Sequence, residues 1–241
     1  MKKTAILFYG IFAYIVALIG QVWFILYLGD WEFMPETIYA PQQLSFALAT
    51  AVNLALVLLF GLQHSVMARS FFKNYLTRFI PEPAERSTYV LFSGIALILV
   101  AYFWQPIDGY VWKTEGVLAT ALTTLSLLGW TFSVIATFII NHFELFGLQQ
   151  VYLNYLGKER PEIDFQERLF YTFVRHPIQL GVLVGIWFTP LMSYGHLMFS
   201  VFFTVYIFIG LWYEERDLVA ELGEVYEDYR SRVAKIVPFL K

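Results

Sequence analysis

The segment from residue 171 to residue 233 decides the fold, because two charged motifs flank an apolar hairpin. It opens with YTFVRHPIQLG at residues 171–181 and closes with WYEERDLVAELGEVYEDYRSRV at residues 212–233. Between the motifs lie two apolar runs, Ile178–Met192 and Leu197–Tyr213, separated by a short polar turn. A membrane hairpin returns the chain to the side from which it entered, so both charged motifs are expected at one face of a bilayer.

Composition indicates a membrane protein. Of the 241 residues, 59% are hydrophobic and only 15% are charged, whereas soluble domains carry about 25% charged residues. The chain has no cysteine, which excludes a disulfide framework, a thiolate metal site and a cysteine nucleophile. The net charge of −3 and the lack of a basic patch predict no nucleic-acid partner.

Four longer apolar runs precede the hairpin. They cover Thr4–Leu28, Leu44–Val66, Thr88–Trp104 and Val117–Ile140, each close to the ~20 residues that cross a bilayer. The first run is too long for a signal-peptide core and lacks a small-residue cleavage site, so we expect it to be retained. The sequence predicts an all-α integral membrane protein with five to six transmembrane helices, including a short C-terminal hairpin.

The first hairpin segment, Ile178–Met192, leaves open whether the hairpin spans fully. Its 15 residues would make about 22 Å of helix at 1.5 Å per residue, short of a ~30 Å hydrocarbon core. Pro190 is expected to break the helix near its far end. The segment either crosses a locally thinned bilayer or turns back within it.

Basic residues predict the orientation. Loops Met67–Ser87 and Asn141–His176 and both termini carry Lys and Arg, whereas Asp30–Gln43 carries none and Gln105–Gly116 carries only Lys113. Alternate loops therefore place 15 of the 16 basic residues on one side. The positive-inside rule assigns that side, with both termini, to the cytoplasm.

The tail after Glu215 has helical periodicity. Apolar residues recur at Leu218, Leu222, Tyr226, Tyr229 and Val233, and acidic residues occupy the opposite face. This pattern predicts an amphipathic helix that lies on the membrane or over the site as a lid. Its glycine, at position 223, is expected to weaken the helix only locally.

Candidate binding residues flank the hairpin. Pro177 suits the first position of a helix, whose free N–H groups attract an anionic group such as a carboxylate. Arg175 beside it would hold that carboxylate bidentately or would anchor to lipid headgroups. Glu214 and Glu215 point about 100° apart on a helix. One of them would attract a cationic ligand, or the pair simply ends the helix in water.

Two histidines, His64 and His142, are placed at the cytoplasmic ends of the second and fourth spans. They would ligate haem only if they faced one another across a wide apolar gap. They would otherwise be hydrogen-bonded residues at helix ends, or groups that move a proton or position a substrate, because the histidine pKa lies near neutrality. Glu144 lies two residues after His142 and is a candidate partner for it.

The motif RHP-x-x-x-G, followed by an apolar hairpin and EERDL-x-x-x-x-G-x-x-Y-x-x-Y-x-x-x-V, resembles the C-terminal signature of isoprenylcysteine carboxyl methyltransferase and its bacterial relatives. Other segments are more specific: QHSVMAR at 63–69, ERSTYVL at 85–91, ATFIINHFELFGLQQV at 136–151 and TPLMSYGHL at 189–197. They resemble the bacterial methanethiol S-methyltransferases over nearly the whole chain. That resemblance implies methylation of methanethiol to dimethyl sulfide with S-adenosyl-L-methionine.

The resemblance also implies a cofactor site. The matching positions are Tyr171, Arg175, His176, Pro177, Gln179, Gly181, Glu214 and Glu215, with Gln149 as a further candidate. Gln179 departs from the pattern, because the relatives usually carry Tyr two residues after the proline. The loss of that ring puts one contact with the cofactor in doubt, although an amide can replace a hydroxyl hydrogen bond.

The implied chemistry needs a thiolate, which is the nucleophilic form of a thiol. We hypothesise that His142 or His64 is the general base, with Asn141, Glu144 and Arg86 as supporting residues. A small alkanethiol has almost no polar handle, so we expect a tight aromatic and aliphatic pocket that opens to the bilayer.

We expect a single membrane methyltransferase domain, in which residues 1–140 form a four-span bundle and residues 141–241 supply the cofactor-binding loop, the hairpin and the tail. The expected location is the bacterial inner membrane. Two alternatives remain: a methyltransferase for a larger thiol or a lipid, and a non-catalytic accessory or transport protein of the membrane.

Overall fold

The computed structural model describes residues 2–161 and 165–238. Within these ranges the chain is mostly helical. The helices are α1 Lys3–Tyr27, α2 Phe46–Met67, α3 Ser70–Leu76, α4 Glu85–Phe103, α5 Gly116–Ile140, α6 His142–Leu145, α7 Leu148–Leu156, α8 Pro177–Trp187, α9 Tyr194–Leu222 and α10 Glu224–Arg232. Strands β1 Tyr110–Lys113 and β2 Leu191–Ser193, with 3₁₀ turns at Glu82–Ala84 and Leu169–Thr172, complete the elements.

Five helices are long and apolar enough to cross a bilayer, which confirms the predicted all-α membrane fold. They are α1, α2, α4 together with the turn that precedes it, α5 and α9. The eleven residues of α8 make about 16 Å of helix, which is too short to cross a ~30 Å core. The helix ends at Trp187, three residues before Pro190, in agreement with the break expected at that proline.

The described chain forms two compact units. The first comprises Met1–Gly109 and Asn141–Glu162, and the second comprises Tyr110–Ile140 and Ile163–Lys241. Each unit has its own packed helices and its own candidate residues. The expected single domain, divided into residues 1–140 and 141–241, stays a prediction.

In the first unit, α4 lies between α1 and α2. The Tyr9 hydroxyl lies 2.8 Å from the Thr88 hydroxyl, which joins α1 to α4. Ala17, Tyr89 and Met67, from α1, α4 and α2, share one apolar cluster. The short helix α7 packs on the beginning of α1 because Val151, Ile6 and Ala84 form a second cluster.

In the second unit, α5 packs closely against α8 because glycines face one another. A Cβ atom at Gly181 would lie 2.6 Å from the Gly129 carbonyl oxygen and 2.7 Å from the Ser133 nitrogen. The Ser126 hydroxyl donates a 2.7 Å hydrogen bond to the Gly185 carbonyl. Bulkier residues at position 181 would therefore separate the two helices.

Strands β1 and β2 close the other end of this unit, and the sequence pattern did not predict them. They pair antiparallel, with Trp112 opposite Met192. The Trp112 indole N–H donates to the Thr189 carbonyl at 3.0 Å. The connection between α8 and α9 is thereby joined to the segment that precedes α5.

The tail differs from the sequence prediction at its glycine. Helix α9 continues unbroken past the paired glutamates to Leu222 and ends at Gly223, whose φ is 58°. Few residues other than glycine adopt this conformation, so a new helix, α10, begins at Glu224 instead of one helix continuing. The apolar face predicted for the tail is buried: Tyr226, Tyr229 and Val233 pack with Phe165, Leu218, Val219 and Leu222.

Candidate functional site

In the second unit, the two charged motifs meet in an ion pair. Arg175 precedes α8, and its Nε and Nη2 atoms lie 2.8 and 2.7 Å from Glu215 Oε1 on α9. Both side chains are more than nine-tenths buried. A buried carboxylate is costly unless it is paired and hydrogen-bonded, and this one accepts two hydrogen bonds from a single guanidinium group.

Glu215 has two further partners. Lys235 Nζ lies 3.0 Å from Oε2, and His176 Nε2 lies 3.2 Å from Oε1. The carboxylate is therefore surrounded by one guanidinium, one ammonium and one imidazole. We name these four residues the Glu215 cluster. Its role in holding the tail against the RHP motif follows from these contacts.

Backbone hydrogen bonds place the tail beside Arg175. The Arg175 N–H donates to the Ala234 carbonyl at 2.8 Å, and Arg175 Nη1 donates to the carbonyls of Arg230 and Val233. The guanidinium group is thus bound to Glu215 and two carbonyls. A direct contact between Arg175 and a cofactor carboxylate would require this network to rearrange, so that assignment stays a prediction.

Glu214 and Glu215 have opposite environments, as expected for adjacent helical positions. Glu215 is buried, whereas Glu214 is exposed. Near Glu214 lies Tyr171, whose pKa is raised by burial and by the Glu214 charge. The Tyr171 carbonyl accepts a 2.6 Å hydrogen bond from Tyr229. Glu214 is therefore the carboxylate that a soluble cation can reach.

Helix α8 carries the remaining cofactor candidates of this unit. Pro177 is at the first helical position and is buried, and Gln179 and Gly181 follow on the first two turns. The first N–H groups of a helix have no intrahelical acceptor, so those of Ile178 and Gln179 provide donors there. Gly181 instead faces α5, and that close contact is sufficient to require glycine at this position.

In the first unit, the segment after α5 forms an amide and carboxylate cluster. Asn141 caps α6, because its Oδ1 accepts from the Glu144 N–H at 3.3 Å. Asn141 Nδ2 donates to Glu144 Oε2 at 3.1 Å and to Gln149 Oε1 at 2.6 Å. Gln149, a cofactor candidate, thus contacts Asn141 and lies with the residues proposed to support the base.

His142 is buried beside this cluster and bonds to α1. Its Nε2 lies 2.9 Å from the Tyr14 hydroxyl, and its ring stacks on Phe146 with 4.5 Å between centroids. Burial lowers the pKa of His142 below its ordinary value. The neutral imidazole, which is the form that accepts a proton, is therefore favoured at neutral pH.

His64 lies between α2 and α4. Its Nε2 is 2.8 Å from the Tyr89 hydroxyl, and its Nδ1 is 3.1 Å from the Ser93 hydroxyl. The Arg86 guanidinium lies 4.7 Å above the Tyr89 ring and donates through Nε to the Leu145 carbonyl at 2.7 Å. Arg86 therefore contacts the partner of His64 and also the short helix that carries His142.

Gly147 allows this segment to approach α4. Its φ is 83°, and a Cβ atom there would lie 2.7 Å from the Ser87 nitrogen. The Ser87 hydroxyl donates to the Gly147 carbonyl at 3.1 Å. Glycine is thus required twice at this turn, by the left-handed conformation and by the close backbone contact.

The candidate residues fall into two groups. Arg175, His176 and Glu215 are in direct contact. The Tyr171 carbonyl accepts from Tyr229, and the carbonyl of the next residue, Arg230, accepts from Arg175. The candidate base residues, together with Gln149, belong to the first unit. In the described ranges, no group of three histidine or acidic side chains is arranged to hold a metal ion.

Sequence reasoning missed several partners. In the sequence, Lys235 contributed only to the count of basic residues. The residues that flank it in the sequence give no indication that it reaches Glu215. Tyr229 belonged to the Y-x-x-Y pattern as an apolar position, whereas its hydroxyl donates to Tyr171. Tyr14 and Tyr89 are aromatic residues of spans, and only the packing of helices shows that each bonds to a histidine.

The fold and the Glu215 cluster define a multi-pass membrane protein with polar residues concentrated at span ends. Proteins named methanethiol S-methyltransferase align with nearly the whole chain. That of Crocosphaera subtropica is 42% identical over 241 residues, which cover 100% of this chain and 94% of the relative. That of Mycobacterium tuberculosis is 44% identical over 240 residues, 99% of this chain and 98% of the relative.

A third relative, methanethiol S-methyltransferase 1 of Bradyrhizobium diazoefficiens, is 44% identical over 232 residues, covering 96% of this chain and 81% of the relative. No family model matches the chain, and no solved structure matches it. Identity above 40% over almost the full length is nevertheless decisive: the chain belongs to the methanethiol S-methyltransferase family.

Proposed function

We propose that this protein transfers a methyl group from S-adenosyl-L-methionine to the sulfur of methanethiol, which gives dimethyl sulfide. The observation that carries the proposal is the near full-length similarity to proteins with that name. The chain has five apolar helices long enough to span a bilayer, and such a setting is compatible with a small, membrane-permeable thiol as substrate. Small apolar ligands bind in mainly apolar pockets with few polar groups.

The residues of the second unit fit the proposed methyl donor. When bound, S-adenosyl-L-methionine supplies an electrophilic methyl group on a sulfonium cation. Glu214 is an exposed carboxylate, and Tyr213 beside it is an exposed aromatic ring. Carboxylates and aromatic faces attract cations, so we assign the cationic part to these residues and to Tyr171.

For the anionic part of the donor, the beginning of α8 offers N–H groups and the positive end of the helix dipole. We assign Gln179 to this end of the site, together with the backbone after Pro177. The Glu215 cluster then positions both ends: it joins the RHP motif to α9 through Arg175, His176 and Glu215. These three are positioning residues in this proposal.

Methanethiol must lose a proton at sulfur as the carbon–sulfur bond forms. We propose that a ring nitrogen of His142 or His64 accepts that proton. Burial keeps His142 neutral at pH 7, as a base requires. Asn141 and Glu144 fix the start of the short helix that bears His142, and Arg86 binds its last carbonyl.

We further propose a single domain in the bacterial inner membrane with both termini in the cytoplasm. Support comes from the 15 of 16 basic residues that alternate loops place on one side. Arg175 and Lys235 of the Glu215 cluster are among these 15 basic residues, so the cluster is assigned to the same side. A soluble cofactor would then reach the site from the cytoplasm.

Headspace gas chromatography of the purified protein with S-adenosyl-L-methionine and methanethiol tests the proposal. We expect dimethyl sulfide, and a large rise in the Michaelis constant for the donor in Glu214→Gln. Glu221→Gln, an exposed glutamate on the same helix, is the matched control and should behave like the unmodified protein. Glu214 is preferable to Arg175 as a probe because its side chain is exposed and outside the buried cluster.

Three results would point elsewhere. Calorimetric binding of the donor without dimethyl sulfide formation would contradict methanethiol as the substrate and favour a larger thiol or a lipid. Neither product nor donor binding would contradict the enzyme assignment and favour a membrane accessory protein. If Glu214→Gln binds the methyl donor as tightly as Glu221→Gln does, the role assigned to Glu214 is wrong, while the rest of the proposal is unaffected.

A further inference from the structure

Helix α3, which follows α2 closely in the first unit, exposes a row of large aromatic side chains. Phe71, Tyr75 and Phe79 are 67%, 54% and 70% exposed. They are spaced four residues apart, and the helical turns continue past α3, because the Ile80 N–H donates to the Leu76 carbonyl at 3.1 Å. Residues four apart are neighbours on one helix face, and the Tyr75 and Phe79 rings meet edge to face with 5.2 Å between centroids. We name these three aromatic residues the aromatic face of α3.

The other two faces of α3 fix the direction of its aromatic face. Phe72 and Leu76 pack on the apolar cluster that joins α1, α2 and α4. Lys73, Asn74 and Arg78 form the polar face, on which Asn74 and Arg78 are exposed. At about 100° per residue, the aromatic face adjoins the packed face on one side and the polar face on the other. A helix that lies at a bilayer surface has this arrangement, with one side toward lipid and another toward water.

The connection to α2 places α3 near the surface of the bilayer. Helix α2 is long and apolar enough to cross a membrane. It ends at Met67 and α3 begins at Ser70, and the chain between these two Cα atoms reaches at most about 11 Å. The seven residues of α3 make only about 10 Å of helix, too little to cross a ~30 Å core. Helix α3 therefore lies within reach of the headgroups.

The charge of this segment favours anionic lipid as the partner of the aromatic face. Residues 67–81 contain three basic side chains and no acidic one. Lys73 and Arg78 form no ion pair with any described residue. A second copy of the chain docked on this face through the same residues would bring like charges together, which is unfavourable. Anionic headgroups instead attract basic side chains that lie next to a span.

We propose that the aromatic face of α3 is inserted in the headgroup region of the membrane, and that Lys73 and Arg78 bind the phosphates of anionic phospholipids beside it. The apolar side chains of such helices reach about 5–10 Å into the boundary between headgroups and acyl chains. The three rings then contact lipid instead of water. Lysine and arginine are common phosphate partners. This lipid-binding surface is independent of the proposed methyl transfer.

Site-specific fluorescence in nanodiscs tests this surface, and the cysteine-free sequence allows a single label. Bimane is attached to Phe79→Cys in nanodiscs with equal amounts of phosphatidylcholine and phosphatidylglycerol. A doxyl quencher is placed near the top of the acyl chain of one lipid or the other. We expect quenching by both lipids, at least about twofold stronger with doxyl phosphatidylglycerol. Adding Lys73→Gln/Arg78→Gln should bring the ratio of the two towards one.

Asn74→Cys, on the polar face of the same helix, is the matched control. Its label should emit as in water, be quenched by dissolved iodide and be quenched little by either lipid. Lys158→Gln/Arg160→Gln removes two exposed basic charges outside α3 in the same unit and should leave the lipid ratio at Phe79→Cys unchanged. Phe71→Cys reports on the same face and takes the place of Phe79→Cys if thermal unfolding shows that the latter variant does not fold.

Each of three other results would contradict the proposal. A Phe79→Cys label that emits as in water and is quenched by iodide would show that the aromatic face lies in the aqueous phase. A label shielded from both iodide and the doxyl lipids would show that protein covers this face. Equal quenching by the two lipids, or a preference that persists in Lys73→Gln/Arg78→Gln, would show that these residues do not select anionic lipid.

Discussion

At the scale of single residues, the Glu215 cluster shows how a membrane protein keeps charges in a buried place. One carboxylate receives hydrogen bonds from Arg175, His176 and Lys235, and Arg175 also satisfies two backbone carbonyls. Removing one partner from a buried pair leaves an uncompensated charge, which typically costs about 3–5 kcal/mol. The cluster is therefore a connection between the RHP motif, α9 and the tail.

Two tyrosines of the tail make a matched pair for a stability test. Tyr229→Phe removes the 2.6 Å hydrogen bond to the Tyr171 carbonyl and should lower the free energy of unfolding by about 1–3 kcal/mol. Tyr226 is equally buried, but its hydroxyl has no partner among the described residues. Tyr226→Phe should therefore be neutral or slightly stabilising when both variants are unfolded thermally in the same detergent.

The two Phe variants also show whether the Tyr226 hydroxyl has a role in stability or in binding the methyl donor. If Tyr226→Phe destabilises the protein as much as Tyr229→Phe does, the hydroxyl of Tyr226 has a structural partner after all. If it instead weakens binding of the methyl donor without a change in stability, Tyr226 belongs to the donor site. Burial raises the pKa of Tyr226 to about 12, so its hydroxyl stays protonated throughout these measurements.

The pH profile of kcat/KM tests His142 as the base. Burial lowers its pKa below the ordinary value of about 6.5, so the neutral form predominates from about pH 6.5 upward. With His142 as the base, kcat/KM for methanethiol should be nearly constant between about pH 6.5 and 8. It should fall only in more acidic solution.

In His142→Gln, only thiol that has already ionised in solution would react. Because that fraction rises about tenfold per pH unit below the thiol pKa, the flat profile should become a rising one. His64→Gln is the matched comparison. If both variants keep the flat profile, neither histidine is the base, and positioning with desolvation of the thiol is sufficient.

At the scale of elements, close helix packing determines which residues reach the site. Helices α5 and α8 approach so closely that glycines 129 and 181 face one another. Because α8 begins directly after the RHP motif, a change in its distance from α5 would also displace Arg175. The first unit has a similar close contact at Gly147, where a glycine turn places the segment with His142 against α4.

Gly181→Ala tests this packing. Its new methyl group would lie 2.6 Å from a carbonyl oxygen of α5, a contact that only backbone movement relieves, so we expect a loss of about 1–3 kcal/mol. Gly210→Ala in α9 is the matched control, because among the described residues no atom outside its own stretch of helix lies within 4 Å of the added Cβ. That variant should be stabilised by up to about 1 kcal/mol through higher helix propensity.

Chemical denaturation in mixed micelles would compare the two alanine variants directly. Equal stability of Gly181→Ala and the unmodified protein would show that α5 and α8 separate at little cost, contrary to the packing argument. Donor binding should weaken in Gly181→Ala but not in Gly210→Ala, because only the former displaces the beginning of α8.

At the scale of the whole molecule, the outer faces of the spans are apolar. Large side chains such as Phe8, Phe12 and Ile19 on α1 are more than half exposed. Such a surface in water would promote aggregation, whereas in a bilayer these side chains contact lipid. The charge distribution predicts which loops face the cytoplasm.

Cysteine labelling tests the orientation, and the chain is suited to it because it contains no cysteine. A membrane-impermeant maleimide applied to intact spheroplasts should label Glu36→Cys, in the exposed loop after α1. It should label Asn74→Cys, exposed on α3, only after permeabilisation. The unmodified protein is the background control. The reverse labelling pattern would show the opposite orientation and would contradict a cytoplasmic Glu215 cluster.

The sequence determined the membrane class, a total of five to six spans and the family, because each depends on local composition or on contiguous motifs. It also showed that the segment Ile178–Met192 is shorter than a bilayer core, with a crossing of a thinned bilayer and a turn within it both left open, and it predicted an apolar face for the helical tail. Its periodicity gave no reason for a full break at Gly223, since a single glycine is often tolerated within a helix. The tertiary conformation requires a positive φ there.

Only the tertiary structure decided the partners of the polar groups. Lys235 reaches Glu215, Tyr14 reaches His142, and Tyr89 reaches His64 across tens of residues or more in sequence. Such pairs form because a polar group without a hydrogen-bond partner is unfavourable in low-dielectric surroundings. Many different pairings would give each polar group a partner. Which pairs form depends on helix packing, and that packing is set by contacts that no single segment of the sequence contains.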